Sequence, residues 1–102
     1  MNQKGYLIAE AKVGNQAAYE IYESLAQVAI AQYGGRYLVN AGAVEILEGQ
    51  WSKPPSLVIV EFDSVDQARS FYQSPAYQLA HMAREGAAET NMLVVSGIAD
   101  LV

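Results

Sequence analysis

The segment Leu57-Val58-Ile59-Val60-Glu61-Phe62 decides the fold, because it is the clearest β-strand in the chain and it leads directly into a helix start. Ser64 follows as a predicted helix N-cap, with Gln67 in the capping-box position. Ser74-Pro75 is a second start signal, an N-cap serine followed by proline at the first helical position, and this helix is predicted to run to about Glu85. The strand is therefore followed by a helix in two pieces.

The residues before this segment predict a strand and a long helix. Tyr6–Ala11 is a short apolar run of strand length, and Asn15 is a plausible N-cap. From Gln16 to Tyr33 apolar residues recur at helical spacing. The predicted apolar stripe consists of Ala18, Ile21, Tyr22, Leu25, Ala26, Ala29 and Tyr33.

Three further segments complete the chain. Arg36–Val39 is a second predicted strand, and Asn40-Ala41-Gly42 is predicted to be a bulge beyond which Val44, Ile46 and Leu47 extend the strand. Gly49–Pro55 is a predicted loop, and Met92–Val95 is the last strand. The order βαββαβ is typical of an α+β, ferredoxin-like fold. We therefore expect residues 1–102 to form one domain, a four-stranded antiparallel sheet with helices on one face.

The predicted strands are apolar on both faces. In the third strand Leu57 and Ile59 point one way, while Val58, Val60 and Phe62 point the other. Helices cover only one face of such a sheet, and the chain has no second layer for the other. An uncovered face of this kind is larger than soluble proteins usually expose, so we expect a homodimer by sheet-on-sheet packing.

The composition excludes several classes of protein. The net charge of −5 argues against nucleic-acid binding, which depends on neutralising phosphates. The absence of cysteine excludes disulfides, thiol catalysis and metal–thiolate sites, and a single histidine makes other transition-metal sites improbable, so no cofactor or metal is expected. No signal peptide or membrane-spanning run is recognisable, which predicts a cytoplasmic protein with no membrane partner.

Several blocks of sequence resemble a known family over essentially the whole chain. The most specific are Tyr33-Gly34-Gly35-Arg36 and Ser74-Pro75-Ala76-Tyr77-Gln78, supported by Lys4-Gly5-Tyr6 and Arg84-Glu85-Gly86-Ala87. On these residues the chain resembles the domain-of-unknown-function family 1330. The resemblance implies a dimeric α+β barrel, and the family has no assigned activity. Similar folds include cofactor-free monooxygenases and muconolactone isomerases, so fold alone does not give function.

Two charged residues on the strands are candidates for ligand chemistry. Arg36 is suited to clamp a ligand carboxylate, or alternatively to pair with Glu10, Glu61 or a dimer partner. Glu61 stands in the most apolar strand. If Glu61 is dry and unpaired, its pKa is raised and it can act as a base. The alternative is that an arginine or solvent pairs with its carboxylate.

The last helix brings further candidates together. Tyr77, His81 and Arg84 share one face at helical spacing, while Ala76, Leu79, Ala80 and Ala83 are predicted to pack on the sheet. His81 is either an acid/base at a pocket rim or part of an exposed face beside Glu85. The shorter helix before it is predicted to bury Val65, Ala68 and Tyr72.

Seven tyrosines are many for this length. They either line a cleft for an aromatic or lipophilic molecule or pack in the core and the dimer interface. The candidates are Tyr6, Tyr19, Tyr22, Tyr37, Tyr72 and Tyr77.

Two hypotheses of function follow. The first is a small-molecule-binding protein without catalysis, with Arg36, Tyr72, Tyr77 and Arg84 near a cleft between sheet and helices. The second is a cofactor-independent enzyme, monooxygenase- or isomerase-like, acting on a small aromatic or quinone-like substrate, with Glu61 or His81 moving a proton.

Overall fold

The computed structural model describes residues 3–51 and 57–99, and the βαββαβ order is confirmed with the second helix in two pieces. The elements are β1 (Gln3–Val13), α1 (Gln16–Gln32), β2 (Arg36–Asn40), β3 (Leu57–Phe62), α2 (Val65–Gln73), α3 (Pro75–Arg84) and β4 (Ala88–Ala99). The strands form one antiparallel sheet in the order β2-β3-β1-β4.

The predicted helix starts are confirmed by their caps. The side chain of Asn15 accepts a hydrogen bond from the Ala18 amide at the start of α1. Ser64 Oγ accepts from the Gln67 amide, and Ser74 Oγ accepts from the Tyr77 amide. Because Ser74 also ends α2, one residue marks the break between the two helical pieces.

The strand register separates the two faces of the sheet as the sequence predicts. Leu7 lies opposite Val60 of β3 and Val94 of β4, and these residues face the helices. Ile8 lies opposite Ile59 and Leu93 on the other side, which we call the open face. Since Val58 and Val60 both point toward the helices, the open face of β3 is formed by Leu57, Ile59 and Glu61.

The core lies between the sheet and the helices. Val60 and Phe62 of β3 are fully buried there, together with Phe71 of α2 and Ala80 of α3. The aromatic ring of Phe71 is central, since its centroid lies 5.3 Å from that of Phe62 and 4.8 Å from that of Tyr77. One hydrophobic core therefore joins three helices to one face of the sheet.

The segment after β2 differs from the prediction. Ala41 has φ 58°, a left-handed conformation, and residues 41–51 form no strand, so the extension through Val44, Ile46 and Leu47 is wrong. The irregularity in β2 lies between Tyr37 and Val39 instead of at residues 40–42. The turn at Ala41 takes the chain out of the sheet; the predicted loop Gly49–Pro55 lies partly outside the described residues.

The buried faces of the helices also differ from the prediction. In α1 Tyr19 and Ile30 are buried while Ile21 is exposed, and in α2 Phe71 is buried while Tyr72 is exposed. In α3 the predicted sheet-facing Leu79 is exposed. The buried residues of α3 are Tyr77, Ala80 and Arg84. The reason is that α3 packs mainly along α1, so Tyr77 and Arg84 meet the neighbouring helix, while Ala80 of the predicted apolar face is buried with them.

Candidate functional site

The candidate residues lie on both sides of the sheet. Tyr77 and Arg84 are buried among the helices, while Arg36 and Glu61 lie on the open face. Tyr72 is exposed, although its ring centroid lies 5.4 Å from that of Tyr77. The structure therefore brings Tyr72, Tyr77 and Arg84 together, and it places Arg36 apart from them.

A narrow cleft of about 40 Å³ lies between α1 and the helix-covered face of the sheet. We call it the tyrosine cleft. Its walls include Tyr19, Tyr22, Tyr37, Tyr77, Thr90 and Met92. Thr90 projects from β4 opposite Ala11, and its hydroxyl is buried without a hydrogen-bond partner in the described residues. The cleft is thus mostly apolar, with hydroxyl groups, the amides of Gln27 and Asn40 and the carboxylate of Glu23 in its walls.

The polar groups beside this cleft form a short chain. The hydroxyls of Tyr22 and Tyr77 lie 3.1 Å apart in a buried hydrogen bond. Arg84 Nη2 donates to the hydroxyl of Tyr77 over 3.3 Å, and Arg84 Cζ lies 5.0 Å from the centroid of the Tyr22 ring. Two helices therefore contribute one polar cluster to an otherwise aromatic core.

The environment raises the pKa of three tyrosines that line the cleft, Tyr19, Tyr22 and Tyr37. Burial, followed by the electrostatic interaction and the hydrogen bond with Tyr77, raises the pKa of Tyr22 far above its ordinary value. Burial also raises the pKa of Tyr37 to about 12. The pKa of Tyr19 is raised by burial and by the nearby charge of Glu23. At neutral pH these hydroxyls therefore act as hydrogen-bond donors as well as acceptors.

Arg84 keeps its charge in this setting. Burial acts to lower the pKa of Arg84, but the hydrogen bond to Tyr77 and interactions with Tyr77 and Tyr22 outweigh it, so that the pKa is raised. Guanidinium groups are in any case always protonated in proteins. The cluster thus holds a permanent positive charge close to the cleft.

On the open face Arg36 and Glu61 form a network with their neighbours. Arg36 Nε donates to Glu61 Oε1 over 3.0 Å and Arg36 Nη2 donates to Asp63 over 3.1 Å, while the hydroxyl of Tyr6 donates to Glu61 Oε2 over 3.1 Å. The hydrogen bond from Arg36, then that from Tyr6, lowers the pKa of Glu61. Glu61 is therefore a carboxylate paired with an arginine, which was one of the alternatives given by the sequence. It is not a dry base with a raised pKa.

His81 is half-buried on α3, beside the cluster. Its ring centroid lies 6.4 Å from that of Tyr77. Within the described residues no ion pair joins it to Glu85, which is exposed. Of the two candidate acid/base residues, His81 lies nearer the tyrosine cleft than Glu61, because it packs beside Tyr77, which lines the cleft.

A larger cavity of about 710 Å³ lies on the open face, between the sheet and the segment after β2. Its apolar walls include Ile8, Ile46, Leu47, Trp51, Leu57 and Leu93. Trp51 is 76 % exposed and Leu93 is 57 % exposed. Large apolar side chains are thus left in solvent where the segment and the sheet meet.

Sequence reasoning missed two residues of the tyrosine cleft. Thr90 was outside the predicted last strand, although alternation from Met92 would have placed it on the helix-covered face. Glu23 was assigned to the polar side of α1, yet it lines the cleft because the buried stripe of that helix is rotated.

Residues 3–51 and 57–99 show neither a metal-binding cluster nor a helix suited to span a membrane. No group of three or more histidine, aspartate or glutamate side chains there is arranged to hold a metal ion. None of the described helices has both the length and the apolar character needed to cross a membrane.

Solved structures share the fold at low sequence identity. A protein of unknown function from Rhodopseudomonas palustris superposes with a TM-score of 0.75 at 16 % identity, covering 98 % of this chain and 86 % of that chain. SnoaB, a cofactor-independent oxygenase from Streptomyces nogalater, has a TM-score of 0.58 at 13 % identity, covering 97 % of each chain. A dimeric protein of unknown function with a ferredoxin-like fold, from Bacteroides fragilis, has a TM-score of 0.59 at 12 % identity, covering 91 % of this chain and 93 % of that chain.

The ferredoxin-like fold class predicted from the sequence is confirmed by these structures. The comparison with curated proteins gave no match. The model of the family described as a domain of unknown function, DUF1330, matches residues 4–98, which is nearly the whole chain. The predicted resemblance is therefore confirmed, and the chain belongs to the DUF1330 family of proteins of unknown function.

Proposed function

We propose that this protein is a homodimer whose subunits each bind a small molecule in the tyrosine cleft. The observation that carries the binding proposal is the composition of the cleft, in which an apolar space is bordered by a few polar groups. One of them, Thr90 Oγ1, has no hydrogen-bond partner among the residues that the structure describes. Ligand sites are typically apolar with a small number of polar groups that fix orientation. A buried hydroxyl without a partner favours a ligand or water that completes its hydrogen bonding.

The open face supports the dimer. Ile8, Leu57 and Leu93 border an apolar cavity there, and the exposed Leu47 and Trp51 stand beside it. A second copy of the same face would cover these side chains and fill the cavity. The dimeric ferredoxin-like protein from Bacteroides fragilis has the same fold, which favours this mode of covering over a solvent-exposed sheet.

The size of the cleft limits the ligand. The tyrosine cleft has about 40 Å³ of space, well below the roughly 150 Å³ of an apolar cavity that binds benzene. It therefore admits a molecule of a few non-hydrogen atoms, and a flat ring enters only if side chains at the opening move, in which case the rings of Tyr19 and Tyr22 offer aromatic surfaces to it. The larger open-face cavity is less suited to this role, because the proposed partner subunit occupies it. We therefore assign the ligand to the helix-covered side of the sheet.

Native mass spectrometry on the protein as purified tests both parts of the proposal. We expect a dimer carrying a reproducible additional mass, and Thr90→Trp, which fills the cleft, should remove that mass while leaving the dimer intact. Thr90→Val keeps the shape of the side chain and loses only the hydroxyl, so it should weaken retention of the additional mass without blocking the cleft. A monomer at micromolar concentration contradicts the dimer. A protein without extra mass, whose cleft amide signals do not move with phenol or benzoate, contradicts the binding site.

A cofactor-independent enzyme remains the second candidate, because SnoaB has the same fold. In that case His81 is the proton-transferring residue, since Glu61 is paired on the opposite face of the sheet. With a hydroquinone and dioxygen, a monooxygenase-like reaction would place one oxygen atom in the product, a hydroxyquinone, and the other in water. We expect His81→Ala to abolish oxygen uptake with unchanged ligand affinity, whereas Glu61→Gln should have little effect. Equal rates in all three proteins would end this proposal.

A further inference from the structure

The tyrosine cleft is rimmed by polar side chains from two elements on the side of β2. From α1 come Glu23 and Gln27, which are four residues apart and therefore share one face of the helix with Tyr19. From β2 come Tyr37 and Asn40. Glu23 is half-buried and the other three are exposed, so these four side chains, which we call the polar rim, stand where the cleft meets solvent.

An irregularity in β2 brings the two strand residues of the polar rim to the same face. Tyr37 lies opposite Val60 and Asn40 lies opposite Val58, and both of these valines face the helices. Residues three apart in a regular strand point to opposite faces. Tyr37 and Asn40 share a face because the register shifts between Tyr37 and Val39. Such bulges are over-represented next to active sites, where they re-aim a side chain.

The polar rim is not held together by hydrogen bonds of its own. Within residues 3–51 and 57–99, none of its four side chains takes part in a hydrogen bond or an ion pair. Glu23 is therefore a half-buried carboxylate without a cationic partner in that part of the chain. Its oxygens and the amide oxygens of Gln27 and Asn40 are acceptors that a ligand with several donors would satisfy.

Charge distinguishes the two ends of the cleft. After burial, the charge of Glu23 contributes to the raised pKa values of both Tyr19 and Tyr37. Arg84, on the α3 side, opposes the rise in pKa at Tyr19 and Tyr22. It has no such effect on the pKa of Tyr37. The polar rim is thus the negative end of the cleft, and the end next to α3 is the positive one.

We propose that the polar rim binds the ammonium group of a small alkylamine, whose alkyl part lies in the tyrosine cleft. An ammonium group has three donors and no acceptor, so it can donate to the Glu23 carboxylate and to the amide oxygens of Gln27 and Asn40. Tyrosine rings in the walls also attract cations, while Arg84 keeps the positive charge of the ligand at the rim. The inference rests on the proposed function, because it names the class of ligand for the same cleft.

The volume of the cleft suits a short amine. A water-sized group needs roughly 10–15 Å³, so that about 40 Å³ of space holds about three or four non-hydrogen atoms. Ethylammonium is of this size. Ethanol is its neutral counterpart, because a hydroxyl takes the place of the ammonium group.

Titration of the isotope-labelled protein with ethylammonium chloride and with ethanol, at constant ionic strength, tests the inference through the amide NMR signals of the residues that line the cleft. We expect ethylammonium to bind at least about tenfold more tightly than ethanol, since its hydrogen bond to Glu23 is charge-assisted. Glu23→Gln should remove that preference by weakening ethylammonium alone. Glu20→Gln is the matched control, because it removes the same charge from an exposed residue of the same helix.

The outcomes separate this inference from the proposed function. Equal affinity of the unmodified protein for ethylammonium and ethanol overturns the amine site and leaves binding in the cleft intact. Signals that move with neither probe also overturn the amine site. If, in addition, native spectra show no additional mass and phenol has no effect, the proposed binding is overturned as well.

The variants test which carboxylate is responsible. If Glu20→Gln weakens ethylammonium as much as Glu23→Gln does, the net negative charge of the protein attracts the cation, and the inference is wrong. Should Glu23→Gln not fold, Asn40→Ala, on the opposite side of the polar rim, should weaken ethylammonium severalfold without affecting ethanol. An unchanged preference in Asn40→Ala, or in a folded Glu23→Gln, contradicts the assignment.

Discussion

The two faces of the sheet carry similar side chains and have different surroundings. On the helix-covered face Leu7, Val60 and Phe62 are almost completely buried, whereas on the open face Leu93 is 57 % exposed. Apolar residues stand on both sides because the strands do not alternate between apolar and polar positions. The strand sequence is thus typical of a sheet that is covered on both faces, while the helices of one chain cover one, and the proposed dimer would cover the other.

The largest expected effect comes from the helix-covered face. Phe62→Ala removes a fully buried ring from the core and should lower the free energy of unfolding by about 3–5 kcal/mol. Leu57→Ala, on the open face of the same strand, is the matched comparison. The loss in free energy of unfolding caused by Leu57→Ala should grow with protein concentration. The loss caused by Phe62→Ala should be the same at every concentration, and urea denaturation measures both. Equal concentration dependence would argue against a covered open face.

A charge on the open face should break the proposed dimer. Leu93→Lys places a cation in the apolar face, and we expect the dimer dissociation constant to rise by at least about 100-fold, or roughly 2.8 kcal/mol. Leu79→Lys is a close control, because Leu79 on α3 is also 57 % exposed and lies away from the open face. Analytical ultracentrifugation distinguishes the two variants. Dissociation of both to the same degree would contradict the assignment of the interface.

A smaller effect is expected where the helix-covered face approaches the start of α2. A Cβ added at Gly5 would lie 2.5 Å from the backbone oxygen of Ser64, so Gly5→Ala must displace main chain. We expect a loss of about 1–3 kcal/mol in the free energy of unfolding, measured by thermal denaturation. At Gly14 the nearest atom would lie 3.7 Å away, so Gly14→Ala should cost little. Equal costs would mean that the close packing of α2 on β1 is not what limits this position.

The sequence predicted the fold better than the site. Strand alternation and the caps at Asn15, Ser64 and Ser74 are local signals, and they identified the order of elements and the two apolar faces. The end of β2 was mispredicted because the apolar residues after Ala41 have strand propensity. These residues instead border the open-face cavity, which is a tertiary arrangement.

The site depends on the rotation of each helix about its axis, which local patterns specify poorly. The apolar side of α3 is predicted to pack on the sheet, yet its Leu79 is exposed, and packing along α1 buries Tyr77 and Arg84 together with Ala80. An arginine at the end of a helix is usually expected to be exposed. No pattern in the sequence therefore predicted that Arg84 is buried without a carboxylate partner among the described residues. The sequence could not choose Glu61 over Glu10 or a dimer partner as the partner of Arg36. Only the register of β2 against β3, which is a tertiary property, brings Arg36 and Glu61 together.

The smallest predicted effect concerns the charged network on the open face and its response to acid. The hydrogen bonds from Arg36 lower the pKa values of Glu61 and Asp63 below their ordinary values of 4.5 and 3.8. The two carboxyl groups have lower pKa values in the folded state than in the unfolded state. The network therefore makes its full contribution to the free energy of unfolding above the unfolded-state pKa values, and it loses that contribution as the pH falls through the folded-state pKa values. Arg36→Gln should therefore be slightly less stable than the unmodified protein at pH 7, and the difference should vanish in acid.

The exposure of these groups makes the effect small, and salt should weaken it further. Thermal denaturation from pH 7 to pH 2, at low and at high salt, measures the difference between the two proteins. Arg69→Gln controls for the change in net charge. A difference that persists unchanged in acid would mean that Arg36 stabilises the open face by packing rather than by charge, and the contrast between the two faces would then rest on apolar contacts alone.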